Sequence, residues 1–328
     1  MQNTDQNFIL REKFLNEPVL KIIVPCYNES EVLEETAEKL KGLLVRMVQQ
    51  KAIAPASRII FVNDGSVDDT WEKVKFLADT DSCYGGLNLS KNFGHQAALI
   101  AGLQSVDADI YVTIDADLQD DPEKIIEMVQ QYKDGCDIVL GVRSSREKDS
   151  FFKRNTAVLF YKLLKFIGTN TVENHADYRL MSRRAVEAFS SFPERNLFLR
   201  GIVTLLGYKQ GKVYYARAER VKGETKYPFR KMVALAIDGV TSFSIVPLRL
   251  AVVSGVLMLL GSGVLFGYTL VVYLVEKTIR GWSSLIATIL LIGSIQTFIL
   301  VIIGEYIGKI YIESKQRPIF ILEDKIEK

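Results

Sequence analysis

Between residues 19 and 142, short apolar runs alternate with longer amphipathic stretches, the pattern of βα units that build a mostly parallel sheet. Residues 19–25, 58–62, 86–90, 110–115 and 138–142 are predicted strands. Residues 29–50, 68–80, 95–105 and 122–132 carry apolar side chains at three-to-four spacing and are predicted helices. In such sheets ligands bind beyond the carboxyl ends of the strands, so the polar residues just after each run are the candidates for chemistry. Residues 143–225 are less regular: a basic helical stretch over 151–167, a polar loop around 174–177, and helices near 183–190 and 195–206.

Toward the C-terminus the pattern changes again. In residues 226–243, Phe229, Met232, Val233, Ile237, Val240 and Phe243 can share one face with Lys226, Arg230 and Lys231 off it, as in a helix lying in a bilayer interface. Residues 250–275 and 281–304 are free of charge, and each meets the ~20 residues a helix needs to cross the hydrocarbon core. Basic residues crowd before the first stretch (Arg217, Arg220, Lys222, Lys226, Arg230, Lys231, Arg249) and after the second (Lys309, Lys315, Arg317, Lys325, Lys328). By the positive-inside rule this predicts a two-span hairpin with both termini cytoplasmic. The expected division is a catalytic domain over 1–225, an interface helix over 226–247, the hairpin over 248–312 and a cytoplasmic tail over 313–328. Residues 1–18 are polar and charged, so no signal peptide is expected there.

The 328 residues carry a formal charge of +2, with 24% charged and 48% hydrophobic side chains, which excludes both a disordered chain and a polybasic nucleic-acid binder. The mean hydropathy of +0.12 is concentrated in the two charge-free stretches. Cys26, Cys83 and Cys136 show no metal or redox spacing and read as small buried residues.

Three strand ends carry candidate chemistry. In Asp115-Ala116-Asp117-Leu118-Gln119-Asp120, the first two carboxylates stand two residues apart at a strand end and can hold a hard divalent cation with charge left over for phosphates. Asp121 before Pro122 reads as a helix N-cap. In Val62-Asn63-Asp64-Gly65-Ser66, a carboxylate beside a glycine turn could accept the N–H of a nucleobase, although Gly65 and Ser66 also fit a plain turn. Pro25-Cys26-Tyr27-Asn28-Glu29 brings an aromatic ring and polar groups to the same edge.

These segments, together with Ser90-Lys91-Asn92-Phe93-Gly94-His95-Gln96, Asp177-Tyr178-Arg179-Leu180-Met181, Glu194-Arg195-Asn196, Gly223-Glu224-Thr225-Lys226-Tyr227 and Gly304-Glu305-Tyr306, stand in an order that resembles the family-2 glycosyltransferases of GT-A fold, specifically those acting on polyprenyl phosphate. The likeness covers almost the whole chain. It implies an α/β GT-A domain followed by an interface helix and two membrane helices, a nucleotide-sugar donor such as UDP-glucose or UDP-N-acetylglucosamine, a polyprenyl-phosphate acceptor, Mg²⁺ or Mn²⁺, and a homo-oligomer. Carried over by position, Pro25, Tyr27, Glu29 and Asp64 would line the nucleoside, with Lys91 and Gly94 in the loop shaping its pocket. Asp115 and Asp117 would meet ribose, metal and diphosphate, and Gln119 the sugar. Asn63 stands where many members have aspartate.

The expected reaction is attack of a phosphate oxygen on the anomeric carbon with inversion. Because a phosphate monoester has a second pKa near ~6, a strong general base is optional. Asp177 is then either the base or a residue that orients Arg179 or a sugar hydroxyl, and His175 is structural. Arg143, with Lys153 and Arg154 on the next helix, would meet the acceptor phosphate, the alternative for the basic helix being a solvated face docked on anionic lipid. Arg200 and Lys226 are second-tier site residues, and Glu305 reads as an interfacial ion pair. Gly263 and Gly267 stand at a spacing that lets membrane helices approach. A processive polysaccharide synthase is the rival enzyme, but its Q-x-x-R-W element is missing: Gln316-Arg317-Pro318 does not match. An inactive scaffold would have no need of intact Asp64, Asp115 and Asp117.

Overall fold

β1 (Leu20–Cys26) is a nearly continuous apolar run buried at every position, as a central strand covered on both faces requires. β2 (Arg58–Asn63) and β4 (Ile110–Thr113) pair with it in parallel on either side, and β3 (Tyr84–Leu89) extends the parallel set beyond β2. β5 (Ile138–Arg143), β6 (His175–Ser182), β7 (Gln210–Tyr215) and β8 (Leu322–Ile326) complete an eight-stranded sheet in the order β7-β5-β6-β4-β1-β2-β3-β8. β6 runs antiparallel to both β4 and β5, β8 antiparallel to β3, and β7 parallel to β5. Six strands therefore end at one edge, and the two reversed strands begin there. That reversal brings the start of β6, with Asp177, and the start of β8, with Glu323, to the edge where βα loops gather.

This computed structural model describes residues 17–143, 175–192, 199–216, 246–276 and 281–327. Two units are distinguished, one holding the sheet with its helices and the C-terminal strand, the other holding the two long helices. In the first unit the helices are α1 (Leu33–Gln49), α2 (Thr70–Thr80), α3 (His95–Ser105), α4 (Lys124–Lys133), α5 (Arg183–Ser190) and α6 (Leu199–Leu205). α1 buries Leu33, Ala37, Leu40, Leu44 and Met47, a stripe at helical spacing laid on the sheet. α3 is buried from Ala97 to Leu103, and Gly102 lets it sit close to the sheet. A Cβ at Gly102 would lie 2.2 Å from Ile23 Cγ2 and 3.2 Å from Val62 Cγ2. That close approach sets the height at which the first residue of α3, His95, meets the sheet edge.

The second unit contains α7 (Val246–Glu276) and α8 (Trp282–Ser314), of 31 and 33 residues. The two charge-free stretches of the sequence fall on these helices. Among the described residues one stretch, Leu291–Ser314, is long and apolar enough to cross a membrane by length and composition. The expected interface helix, residues 226–247, lies outside the described residues except for its last two positions, which open α7. The basic helix expected over 151–167 lies outside them entirely.

The structure departs from the sequence reading in four places. Of the loop expected around 174–177, the described residues from His175 on form the start of β6, whose Ala176, Tyr178 and Leu180 alternate with Asp177, Arg179 and Met181 in the middle of the sheet. β7 was not anticipated. Residues 313–328 are not a free tail, because Leu322–Ile326 form the edge strand β8. Asp121 does not cap a helix starting at Pro122: its Oδ1 accepts from the Glu123 amide at 3.0 Å in a turn that leads into α4. Cys26 and Cys136 are buried and Cys83 half-buried, all as free thiols.

Because Gly102 faces branched side chains that cannot swing away, Gly102→Val overpacks the contact between α3 and the sheet, at a cost of about 1–3 kcal/mol. Thermal unfolding of the detergent-solubilised protein should show a Tm at least ~2–4 °C lower; an unchanged Tm would refute the close packing.

Candidate active site

The loop after β4 carries the paired carboxylates. Its backbone is held to α1 by Thr36 Oγ1, which donates to the Ala116 carbonyl at 2.7 Å, and the Asp117 carboxylate accepts from the Gln119 amide at 3.2 Å. Leu118, between them, adopts a left-handed conformation (φ 51°), a costly geometry for a non-glycine residue that aims the loop back over the sheet edge. Gln119 and Asp120 are buried beside it.

β6 supplies the next group. Asp177 and Arg179, two residues apart on one strand, share a face, and Arg179 Nη2 donates to Asp177 Oδ1 at 2.6 Å. Both are buried. His95 Nε2 lies 3.5 Å from Asp115 Oδ1 and 3.8 Å from Asp177 Oδ2, so an imidazole stands between the paired carboxylates and the β6 carboxylate. The site thus gathers Asp115, Asp117 and Asp177 with His95 and Arg179. Burial holds the Asp115 carboxyl above its ordinary value; His95 opposes that shift, while the negative charges of Asp120, Asp177 and Asp117 add to it.

On the other side of the loop, Asp120 Oδ1 accepts from Tyr215 Oη at 2.7 Å and from Arg143 Nη2 at 3.1 Å. Arg143 therefore already balances a buried carboxylate, and any phosphate it met would share it with Asp120. Lys153, Arg154 and Lys226 lie outside the described residues, as does the side chain of Arg200, whose backbone is in α6.

The ends of β1 and β2 are tied together. The Asn28 amide donates to Ser66 Oγ at 2.9 Å, the Val67 amide to Asn28 Oδ1 at 2.9 Å, and the Glu29 amide to Thr70 Oγ1 at 3.0 Å. Pro25 is buried within β1, Glu29 is half-buried and Tyr27 is exposed. Lys91 is exposed too, its Nζ 5.1 Å from the centre of the Phe93 ring.

Asp64 has partners within the fold. Its Oδ1 accepts from the Phe93 amide at 2.7 Å and its Oδ2 from the Gly94 amide at 2.9 Å, and the residue is only 3% exposed. The carboxylate anchors Phe93 and Gly94, the two residues that lead into α3. Burial raises its pKa and those two amides pull it back. The loop comes close enough for this because of Gly65 (φ 63°), where a Cβ would lie 2.4 Å from the Lys91 carbonyl carbon.

Sequence reasoning gave no role to His95 or Asp120. His95 had a signal, since it opens a predicted helix on the carboxyl edge of the sheet; Asp120 is the third acid of the loop. Among the described residues no group of three or more His, Cys, Asp or Glu side chains forms a metal cage. The donor set still fits a hard cation: two oxygen ligands, Asp115 and Asp117, in a recess where further carboxylates raise the cost of leaving the charge unbalanced.

The glycosyl transferase family 2 profile matches residues 21–189. An uncharacterized glycosyltransferase of Bacillus subtilis (strain 168) is 44% identical over 310 residues, covering 94% of this chain and 92% of its own length. A bactoprenol glucosyl transferase of Shigella phage SfV is 39% identical over 315 residues, covering 94% of this chain and 99% of its own. Among solved structures, glucosyl-3-phosphoglycerate synthase from Mycobacterium tuberculosis superposes with a TM-score of 0.48 at 17% identity, covering 71% of this chain and 81% of that one.

A raised carboxylate pKa costs folded stability once the group is ionised: stability falls as pH rises from the ordinary carboxylate range through the raised value. Asp115→Asn removes that cost, so the metal-free variant should unfold at a higher Tm than the parent at pH 7, with the gap closing at acid pH. Added Mn²⁺ should raise the Tm of the parent and not of the variant. Equal Tm values without metal, or equal metal responses, would contradict the electrostatic assignment.

Proposed function

The chain belongs to glycosyl transferase family 2, and on that premise we propose that it transfers a single sugar from a nucleotide-sugar donor, UDP-glucose first among candidates, to a polyprenyl phosphate at the cytoplasmic face of a membrane. The observation that carries this reading is the near end-to-end match to a bactoprenol glucosyl transferase, which takes in the long C-terminal helices as well as the sheet. On this reading α7 and α8 both span the bilayer, although only the stretch in α8 meets the length and composition test among the described residues.

The acceptor phosphate is largely dianionic at neutral pH and needs no strong base to attack the anomeric carbon. Asp115 and Asp117 would hold Mg²⁺ or Mn²⁺, which when bound stabilises negative charge on the departing diphosphate. Asp177 is engaged by Arg179 and faces His95, which supports reading it as an orienting acceptor for a sugar hydroxyl rather than as a base. Arg143, exposed on one side and tied to Asp120 on the other, would contribute to the acceptor phosphate. The exposed Tyr27 and Lys91 border the nucleotide, and Asp64 shapes their loop from beneath. A polymer-extending synthase gains no support from any of these contacts.

Transfer of labelled sugar into a lipid-extractable product tests the assignment. Asp117→Ala should lower kcat by about 10²–10³-fold, the range for losing one main electrostatic stabiliser of the transition state. If Asp177 orients, Asp177→Asn should keep kcat within about ten-fold of the parent, whereas a general base would cost about 10²–10⁴-fold. Full activity in Asp117→Ala would overturn the site.

A further inference from the structure

β8 is an unusual strand to find on a catalytic sheet. It is the last element of the chain, it follows α8 after seven intervening residues, and its side chains are mostly exposed, so apolar burial does little to hold it. What holds it is polar. Besides the backbone ladder with β3, Glu327 Oε1 meets Lys21 Nζ at 2.8 Å at the far edge of the sheet, where Lys21 is buried in β1. At the near edge Glu323 Oε2 accepts from Asn88 Nδ2 at 2.9 Å.

The second contact continues inward. Asn88 Oδ1 accepts from Asn63 Nδ2 at 2.7 Å, and Asn63, 2% exposed, is the residue that opens the turn leading to Asp64 and Gly65. Beside it the Ser90 amide donates to the Ile321 carbonyl at 3.0 Å, fixing the first residue of the loop whose far end Asp64 holds at Phe93 and Gly94. The C-terminal segment thus touches both the turn over residues 63–66 and the loop over residues 90–94.

We propose that β8 is a positioning element of the donor site: Glu323 sets the residue 63–66 turn through Asn88 and Asn63, while Ile321 fixes the start of the residue 90–94 loop, so that donor binding depends on the segment that follows the membrane helix. The proposal rests on the nucleotide-sugar reading of the site. The direction of the relay explains why this chain carries asparagine at position 63. Asn88 presents its oxygen to Asn63 and its amide to Glu323. An aspartate at 63 would place Asn88 between two carboxylates, and its single NH₂ group can face only one of them. Asn63 and Glu323 are therefore a matched pair.

The test uses full-length protein in detergent or nanodiscs, with steady-state kinetics on UDP-glucose and undecaprenyl phosphate and hydrogen exchange of the peptides covering residues 88–94. Glu323→Ala should raise the donor KM about ten-fold, with kcat and the acceptor KM within about two-fold, and should speed exchange in the loop. Glu323→Gln, which keeps an oxygen acceptor, should restore both. Asn63→Asp should resemble Glu323→Ala, and Asn63→Asp combined with Glu323→Gln should recover, because Asn88 can then turn over and find an acceptor on one side and a donor on the other. An unchanged donor KM or unchanged exchange in Glu323→Ala, or a double variant no better than Asn63→Asp, overturns the proposal. If the parent protein turns over no nucleotide sugar, the functional reading fails by itself, and exchange in the Glu323 and Asn63 variants still decides whether β8 sets the loop.

Discussion

Four carboxylates, Asp115, Asp117, Asp120 and Asp177, are crowded into one recess at the edge of the sheet, and the surrounding structure is arranged to bear their mutual repulsion. Asp120 is met by Arg143 and Tyr215, Asp177 by Arg179, and His95 stands between Asp177 and Asp115. Asp115 and Asp117 are the pair that, on the proposed reading, would hold a divalent cation beside a diphosphate. The topology makes this crowding possible. A sheet of strands all running one way would have sent the start of β6 to the opposite edge; its reversal between β4 and β5 puts Asp177 and Arg179 next to the loop after β4.

A second set of contacts keeps the residue 63–66 turn and the residue 90–94 loop in register. Asp64 holds the two residues before α3 through their amides, Gly65 permits the approach, Gly102 lets α3 lie against Ile23 and Val62, and Ile321 with Glu323 closes the outer side through Ser90 and Asn88. Each contact is short-range, and together they run from the centre of the sheet to its edge strand. The position of the residue 90–94 loop is thus shared between residues far apart in sequence.

The sequence made the parallel half of the sheet legible because buried parallel strands are written as apolar runs, β1 most plainly. The D-x-D loop and the Asp177/Arg179 pair were legible as motifs, though not the strand beneath the latter, since the polar residues at 174–177 mask its alternation. β8, with the sequence LEDKI, carries almost no apolar signal, and its pairing comes from the backbone ladder and from Glu323 and Glu327 finding Asn88 and Lys21 about 235 and 306 positions away. No local pattern encodes that. Asp64 is legible as an acceptor carboxylate beside a glycine turn; the two amides it holds belong to a loop whose approach only the fold reveals.

The proposed reaction brings the charged recess to a lipid phosphate, and its central claim concerns the product. Incubating the purified protein with UDP-glucose, undecaprenyl phosphate and Mn²⁺ or Mg²⁺, then analysing the lipid extract by mass spectrometry and the anomeric configuration by NMR, tests that claim most directly. The account predicts one hexose per lipid phosphate, with configuration inverted relative to the donor. A ladder of longer saccharides, a retained configuration, or free glucose with no glycolipid would contradict it.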